Sequence, residues 1–205
     1  HLETSSATLA VEDVRRSGDR LELDVLVSSL TGHKLPSAYP SRRAWLHLQV
    51  FDRQGRQLFS SGGLDPSGAI AGNDNDRDAA RFEPHYTEIT SGDQVQIYEA
   101  ILGAPGGEVT TVLLSAVDYL KDNRLLPAGF DKATAHADIA GHGEAAGDDD
   151  FVGGSDRVRY MVDVRDADGP FQVTAELWYQ PIGFRWAHNL SEQPSVETDR
   201  FVAAF

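Results

Sequence analysis

The 205-residue sequence contains no cysteine. That absence excludes disulfides, zinc–thiolate sites, thiol catalysis and thioether-attached haem within this chain. It also leaves the redox compartment unreadable from cysteine usage. No apolar run approaches the ~20 residues a membrane-spanning helix needs, so membrane insertion is not expected. Basic residues are scarce: 18 Lys and Arg stand against 32 Asp and Glu, a formal charge of −14. Such an average field repels nucleic acid and anionic lipid surfaces, and it favours cations and basic proteins as company. Nucleophile elbows, phosphate-cradling glycine loops and HExxH zinc motifs are missing as well. No reaction is legible, and a catalytic role is not expected. The opening pattern is not that of a signal peptide. A start at His1 reads either as a processed secretory terminus or as a cut within a longer protein.

What is present is punctuation. Nineteen glycines and nine prolines divide short strand-like runs, with no βαβ rhythm and no internal repeat. Ala7 to Arg15 and Arg20 to Ser29 suit strands joined by a hairpin turn at Ser17-Gly18-Asp19. The second alternates Leu21, Leu23, Val25 and Val27 against Glu22 and Asp24. Ala44 to Asp52 is apolar on both faces, the reading of a central, doubly covered strand. Gln57 to Ser61, Gln94 to Leu102 and Val109 to Tyr119 read as further strands. Arg157 to Arg165 and Phe171 to Gln180 read as a hairpin turning at Asp166 to Gly169. Between them lie two long irregular stretches: residues 62–92, unusual enough in length to be functional or ion-tied, and the small, acidic, glycine-rich residues 133–155, expected to form a mobile surface excursion. Two short helices are expected near the end, with Ser195 as N-cap of the second. The expected fold is an all-β sandwich, immunoglobulin-like or jelly-roll, with long irregular loops and one or two short C-terminal helices. One domain over residues 1–205 is expected.

Three constellations carry candidate chemistry. The loop Thr31 to Trp45 gathers His33, Lys34, Tyr39, Arg42 and Arg43 around two prolines. His33 suits donation to a metal or haem iron, or a hydrogen bond to a partner or to its own fold. Arg42 and Arg43 suit bidentate binding of a carboxylate, a haem propionate included, or internal pairing with an acid. The second constellation is Asp65, Asn73, Asp74, Asp76 and Asp78, whose hard oxygens suit calcium. An EF-hand is not supported, because Ala79 occupies the glycine position and His85 the final glutamate. The triplet Asp148-Asp149-Asp150 is a lesser acidic candidate. Third, His33, His47 and His85 are candidates for a shared copper, iron or zinc site. His1 with its terminal amine suggests a copper brace, and Met161 a ligand for non-covalent haem or a core residue. The aromatic run Tyr179 to His188 suits core closure or, if exposed, carbohydrate.

The segment Gly32-His33-Lys34-Leu35-Pro36-Ser37-Ala38-Tyr39-Pro40-Ser41-Arg42-Arg43-Ala44-Trp45-Leu46-His47 resembles one that recurs in bacterial multihaem c-type cytochromes. The resemblance continues through residues 72–76, Glu83-Pro84-His85-Tyr86, residues 94–99, residues 121–127 and residues 179–183, nearly the whole chain. Two departures stand out: Ala38 occupies a position where the motif has Gly, and the chain holds no CxxCH. The resemblance implies a haem-free C-terminal β domain of such a cytochrome, or a stand-alone relative. It implies that His33 faces or ligates a haem on the partner. The expected function is therefore a non-catalytic docking domain, periplasmic or extracellular, beside a multihaem cytochrome and stabilised by calcium. The alternatives are a histidine-ligated copper or iron sandwich protein and a calcium-stabilised carbohydrate-binding module.

Overall fold

The computed structural model describes residues 5–203. The copper-brace expectation at His1 lies outside them. Strand β1 (Ala7–Ser17) and β2 (Arg20–Ser29) form the expected antiparallel hairpin, and β2 pairs on its other side with β10 (Ser155–Asp163), which carries the two-residue β5 (Glu88–Ile89) at its edge. A second sheet is built on β3 (Arg43–Phe51), flanked by β4 (Gln57–Ser61) and β11 (Gln172–Gln180), with β6 (Ile97–Tyr98) also pairing β3. A small third sheet joins β7 (Ala100–Gly103) to β8 (Val109–Thr110) and β9 (Asp118–Asp122). The architecture is all-β and sandwich-like, as the strand patterning predicts.

The period-2 alternation explains where the core lies. Leu21, Leu23, Val25 and Val27 of β2 and Val158, Tyr160 and Val162 of β10 share one buried cluster with Leu46, Leu48 and Val50 of β3. Each such side chain contributes about 1.5–3 kcal/mol on burial. The other face of β3 sends Trp45 into a separate cluster with Ile70, Val95 and Ile97. The strand is thus covered on both sides, and this second cluster seats residues 62–92 against the sheet. Gly62 shows how closely: Trp45 Nε1 donates to its carbonyl at 2.8 Å. At φ +77°, a Cβ on Gly62 would collide with the Leu46 carbonyl.

Three expectations are corrected. β10 and β11 are not a hairpin, since β10 pairs β2 and β11 pairs β3 in the other sheet. The connection crosses layers because its turn is held from the β3–β4 turn: Arg53 N–H donates to the Asp168 carbonyl at 3.2 Å and Arg56 Nη2 to the Asp166 carbonyl at 2.8 Å. Val109 to Tyr119 is broken into β8, a 3₁₀ turn over Leu113–Ser115 and the start of β9. Residues 133–155 are not a solvated excursion. Ala145 and Phe151 are fully buried in the main core cluster, and Lys132 Nζ donates to the carbonyls of Ala145 and Asp148. Small polar composition masked two anchoring residues.

Helix α1 (Asp74–Arg77) is one turn, capped by the Asn73 side chain. Helices α2 (Phe184–Ser191) and α3 (Val196–Val202) match the expected C-terminal pair, and Ser195 accepts from Thr198 N–H at 3.1 Å as the N-cap of α3.

Candidate functional site

The His33 loop is tied down at both ends and open in the middle. Thr31 Oγ1 donates to the His33 carbonyl at 2.7 Å, and Leu35 bridges Leu125 through two backbone bonds. Lys34 Nζ donates to Asp122 Oδ2 at 2.7 Å and the Ala140 carbonyl at 2.9 Å. Desolvation draws the Lys34 pKa down, with Asp122 opposing it. His33 itself is exposed, and its Nδ1 lies 3.0 Å from the Lys34 carbonyl. A carbonyl only accepts, so Nδ1 carries the hydrogen and Nε2 keeps its lone pair. This is the ring orientation that second-shell carbonyls impose on ligating histidines.

Around it, Tyr39 is half-exposed and edge-on to Trp186 at 5.4 Å, and Arg42 Nη1 donates to the Ser37 carbonyl at 3.2 Å. Ala38 adopts φ +65°, the left-handed region that favours glycine, at the position where the cytochrome motif has Gly. Arg43 departs from the loop: it is buried and forks onto Asp76 at 2.8 and 2.9 Å. It is a structural residue here, not a surface contact.

The acids expected to hold calcium do not converge; each is engaged by its own partners, four of them nearby in sequence and Asp76 by a distant arginine. Asp76 is held by Arg43 and by Ile70 N–H at 2.8 Å. Asn73 Oδ1 caps α1, Asp74 pairs with Arg81 at 2.5 Å, and Asp78 Oδ1 accepts from Ala80 N–H at 2.9 Å. Asp65 Oδ1 accepts from Ser67 Oγ, Ser67 N–H and Ala69 N–H, and the Ser67 bonds hold its carboxyl below the ordinary carboxylate range. Charge density that reads as an ion loop in sequence goes into turns and two salt bridges.

The three histidines are likewise apart. His47 is buried on β3, 3.3 Å from Glu176 and 4.2 Å from the Trp178 ring. His85 has no exposed side chain and lies instead beside Asp148, with Nε2 3.0 Å from Oδ2, and beside Asp156, with Nε2 3.7 Å from Oδ1. Among the described residues, His85, Asp148 and Asp156 are the one group of three or more potential ligands whose donor atoms lie within 4.8 Å of one another. Sequence reasoning missed this grouping because residues 85, 148 and 156 come from two separate irregular stretches and a strand. In sequence Asp148 reads only as part of an acidic run.

Hydrogen bonds settle the His85 tautomer. Gln96 Nε2 and Asn123 Nδ2 approach His85 Nδ1 at 2.9 and 3.1 Å. Neither amide is free to reverse: Gln96 Oε1 accepts from Tyr86 N–H at 2.9 Å, and Asn123 Oδ1 from Glu99 N–H at 3.0 Å. Both nitrogens therefore donate, Nδ1 accepts, and the ring hydrogen sits on Nε2, facing Asp148. Desolvation pushes the His85 pKa down to about 4, against the opposing Asp148 bond. His33 and His85 thus show opposite tautomers, one with an outward lone pair and one with a buried N–H.

Met161 is half-buried opposite Glu22 in the β2–β10 ladder. Of the C-terminal aromatics, Tyr179 is exposed while Trp178 packs edge-on to Trp45 at 5.9 Å and Phe184 stacks on His188. They do not form an exposed row.

No protein-family model and no curated protein matches the chain. Among solved structures, a penta-heme cytochrome c552 from Thermochromatium tepidum is similar, with a TM-score of 0.55 at 14% identity. The match covers 94% of this chain and 36% of that one, so the chain spans about a third of the cytochrome's length. At that identity the likeness is one of fold, and the fold is one found within a multihaem cytochrome chain.

Proposed function

We propose that this domain is a non-catalytic docking module for a multihaem c-type cytochrome, or for the haem-bearing remainder of a longer cytochrome chain, working in the periplasm or outside the cell. The observation that carries the reading is His33, an exposed imidazole whose Nδ1–H is committed to the Lys34 carbonyl. That leaves Nε2 as the nitrogen that meets a haem iron or a donor on the partner. The fold likeness to part of a penta-heme cytochrome supports the context. The −14 charge supports a partner with a basic face. Lys34, Tyr39 and Arg42 supply the polar rim of the contact.

The test mixes the domain with a purified multihaem c-type cytochrome and follows haem absorbance and sedimentation together. Association that weakens with salt, and a haem spectral change absent in His33→Ala, is the expected result. An unchanged haem spectrum and no co-sedimentation at low salt would sink the reading.

A further inference from the structure

Asp156 is fully buried, and its Oδ1 has no hydrogen-bond partner. Its Oδ2 is well served, accepting from Tyr98 Oη at 2.7 Å and Gln96 Nε2 at 3.0 Å. The nearest ring N–H, His85 Nε2, is 3.7 Å away, beyond hydrogen-bond distance, and a buried carboxylate oxygen without a hydrogen bond is costly unless the charge is neutralised. The surrounding groups are mostly anionic or neutral. Asp148 and Asp150 come from the segment before β10, Glu144 from the 3₁₀ turn preceding them, His85 from residues 83–87, Tyr98 from β6 and Tyr160 from β10 itself. Lys121 of β9 is paired with Glu99 at 3.0 Å, and Arg157 with Glu12 at 2.9 Å.

A divalent metal would neutralise Oδ1, but the imidazole is in the wrong form to hold it. A histidine bound through Nε2 carries its hydrogen on Nδ1 and donates it outward. Here two locked amides donate into Nδ1, and Nε2 keeps the hydrogen. A proton on the carboxyl itself neutralises the charge and asks nothing of the imidazole. We propose that the His85–Asp148–Asp156 cluster is a buried proton-binding site whose one exchangeable proton resides on Asp156 Oδ1, with His85 a neutral, fixed donor to an ionised Asp148.

The electrostatics agree with this assignment. Desolvation pushes the Asp156 carboxyl up to about 7, against the Tyr98 and Gln96 bonds, with the Asp148 and Asp150 charges adding to the rise. Desolvation also acts on Asp148, yet the Asp150 N–H and His85 bonds outweigh it and hold Asp148 below the ordinary range. Neutral His85 and protonated Asp156 then bias stability in opposite directions. Unfolded histidine takes a proton below its ordinary 6.5 while folded His85 waits until about 4, so its contribution rises with pH in that window. Folded Asp156 keeps its proton to about 7 while the unfolded group releases it at 3.8, so its contribution falls over that range. In the wild type the two slopes cancel between about 4 and 6.5.

The experiment measures urea unfolding from pH 4 to 7 for the wild type, Asp156→Asn and His85→Gln, a glutamine that keeps one acceptor and one donor. Relative to wild type, the Asp156→Asn folding constant should rise by up to tenfold per pH unit, and that of His85→Gln should fall by a similar factor. Slopes of the same sign, or no slope, in the two variants overturn the proposal. Should Asp156→Asn fail to fold, infrared spectra of the wild type, His85→Gln and Asp150→Asn, each taken as pH 5.5 minus pH 8, decide it. Burial and the Asp148 charge push the Asp150 carboxyl up to about 6 as well, so a protonated-carboxyl band present in all three supports the assignment, and its absence from the wild type or from Asp150→Asn defeats it. Titration with Co(II) provides the remaining arm: stoichiometric binding with a ligand-field spectrum overturns the proton assignment, and no binding supports it. None of this uses the His33 geometry, so either reading can fail alone.

Discussion

Arg43 and Asp76 meet in a two-pronged ion pair, Nη1 to Oδ1 at 2.8 Å and Nη2 to Oδ2 at 2.9 Å, with both side chains buried. The pair joins β3 to α1 inside the long irregular stretch. Arg185 of α2 adds bonds to the carbonyls of Asn75 and Asp76, both at 2.9 Å. Removing one partner leaves a desolvated charge, so Asp76→Asn should lose about 3–5 kcal/mol by urea denaturation. The same account predicts no change in Tm when divalent ions are chelated. A chelator-induced fall in Tm, with a small effect of Asp76→Asn, would return calcium to this loop.

Ala38 at φ +65° carries a cost that glycine does not. The left-handed penalty for a side chain is about 1–2 kcal/mol, and glycine's extra unfolded-state entropy offsets roughly half of it. Ala38→Gly should therefore gain about 0.5–1 kcal/mol. A loss of stability would mean that the loop does not hold this backbone conformation in solution.

Phe151 has no exposed surface and meets the His85 ring edge-on at 5.0 Å. Truncation to alanine should cost about 3–5 kcal/mol, as for other buried aromatics. Hydrogen exchange offers an independent check, since the Asp122 and His142 amides bond each other's carbonyls at 3.2 and 3.0 Å. They should be protected. Free exchange there, with a near-neutral Phe151→Ala, would restore the picture of a mobile excursion.

Asp122 receives Lys34 at 2.7 Å and Arg124 at 2.8 and 2.7 Å. Desolvation raises its pKa, but the Arg124 bond and charge, with the Lys34 charge, win and leave it below 3.8. A depressed acid contributes stability above its unfolded value and loses it as pH falls through the lower folded one. Asp122→Asn should thus flatten the acid limb below pH 4 and cost about 1.5–3 kcal/mol at pH 7. An acid limb identical to the wild type would reassign the acid sensitivity elsewhere.

Residue patterning was enough to locate β1 to β4, β10 and β11: a strand covered on one face records that in a period of two, as β2 does, and β3, covered on both, reads as an apolar run. The capping serine of α3 was legible for a similarly local reason: its oxygen serves an amide three residues away. Which strands pair was not legible between β10 and β11, since the turn between them is captured by groups on the β3–β4 turn.

The sequence by itself determined the strand faces, the absence of thiol chemistry, the acidic field and the candidacy of the His33 loop. The tertiary structure alone decided which acids are free and which are spent. Asp76 is consumed by an arginine 33 positions away, and Asp148 and Asp156 are delivered to His85 from the far side of the chain. The physical reason is the same in each case. A local pattern reports burial and capping, whereas ion pairing, tautomer and protonation depend on contacts between segments distant in sequence, and only packing brings those together.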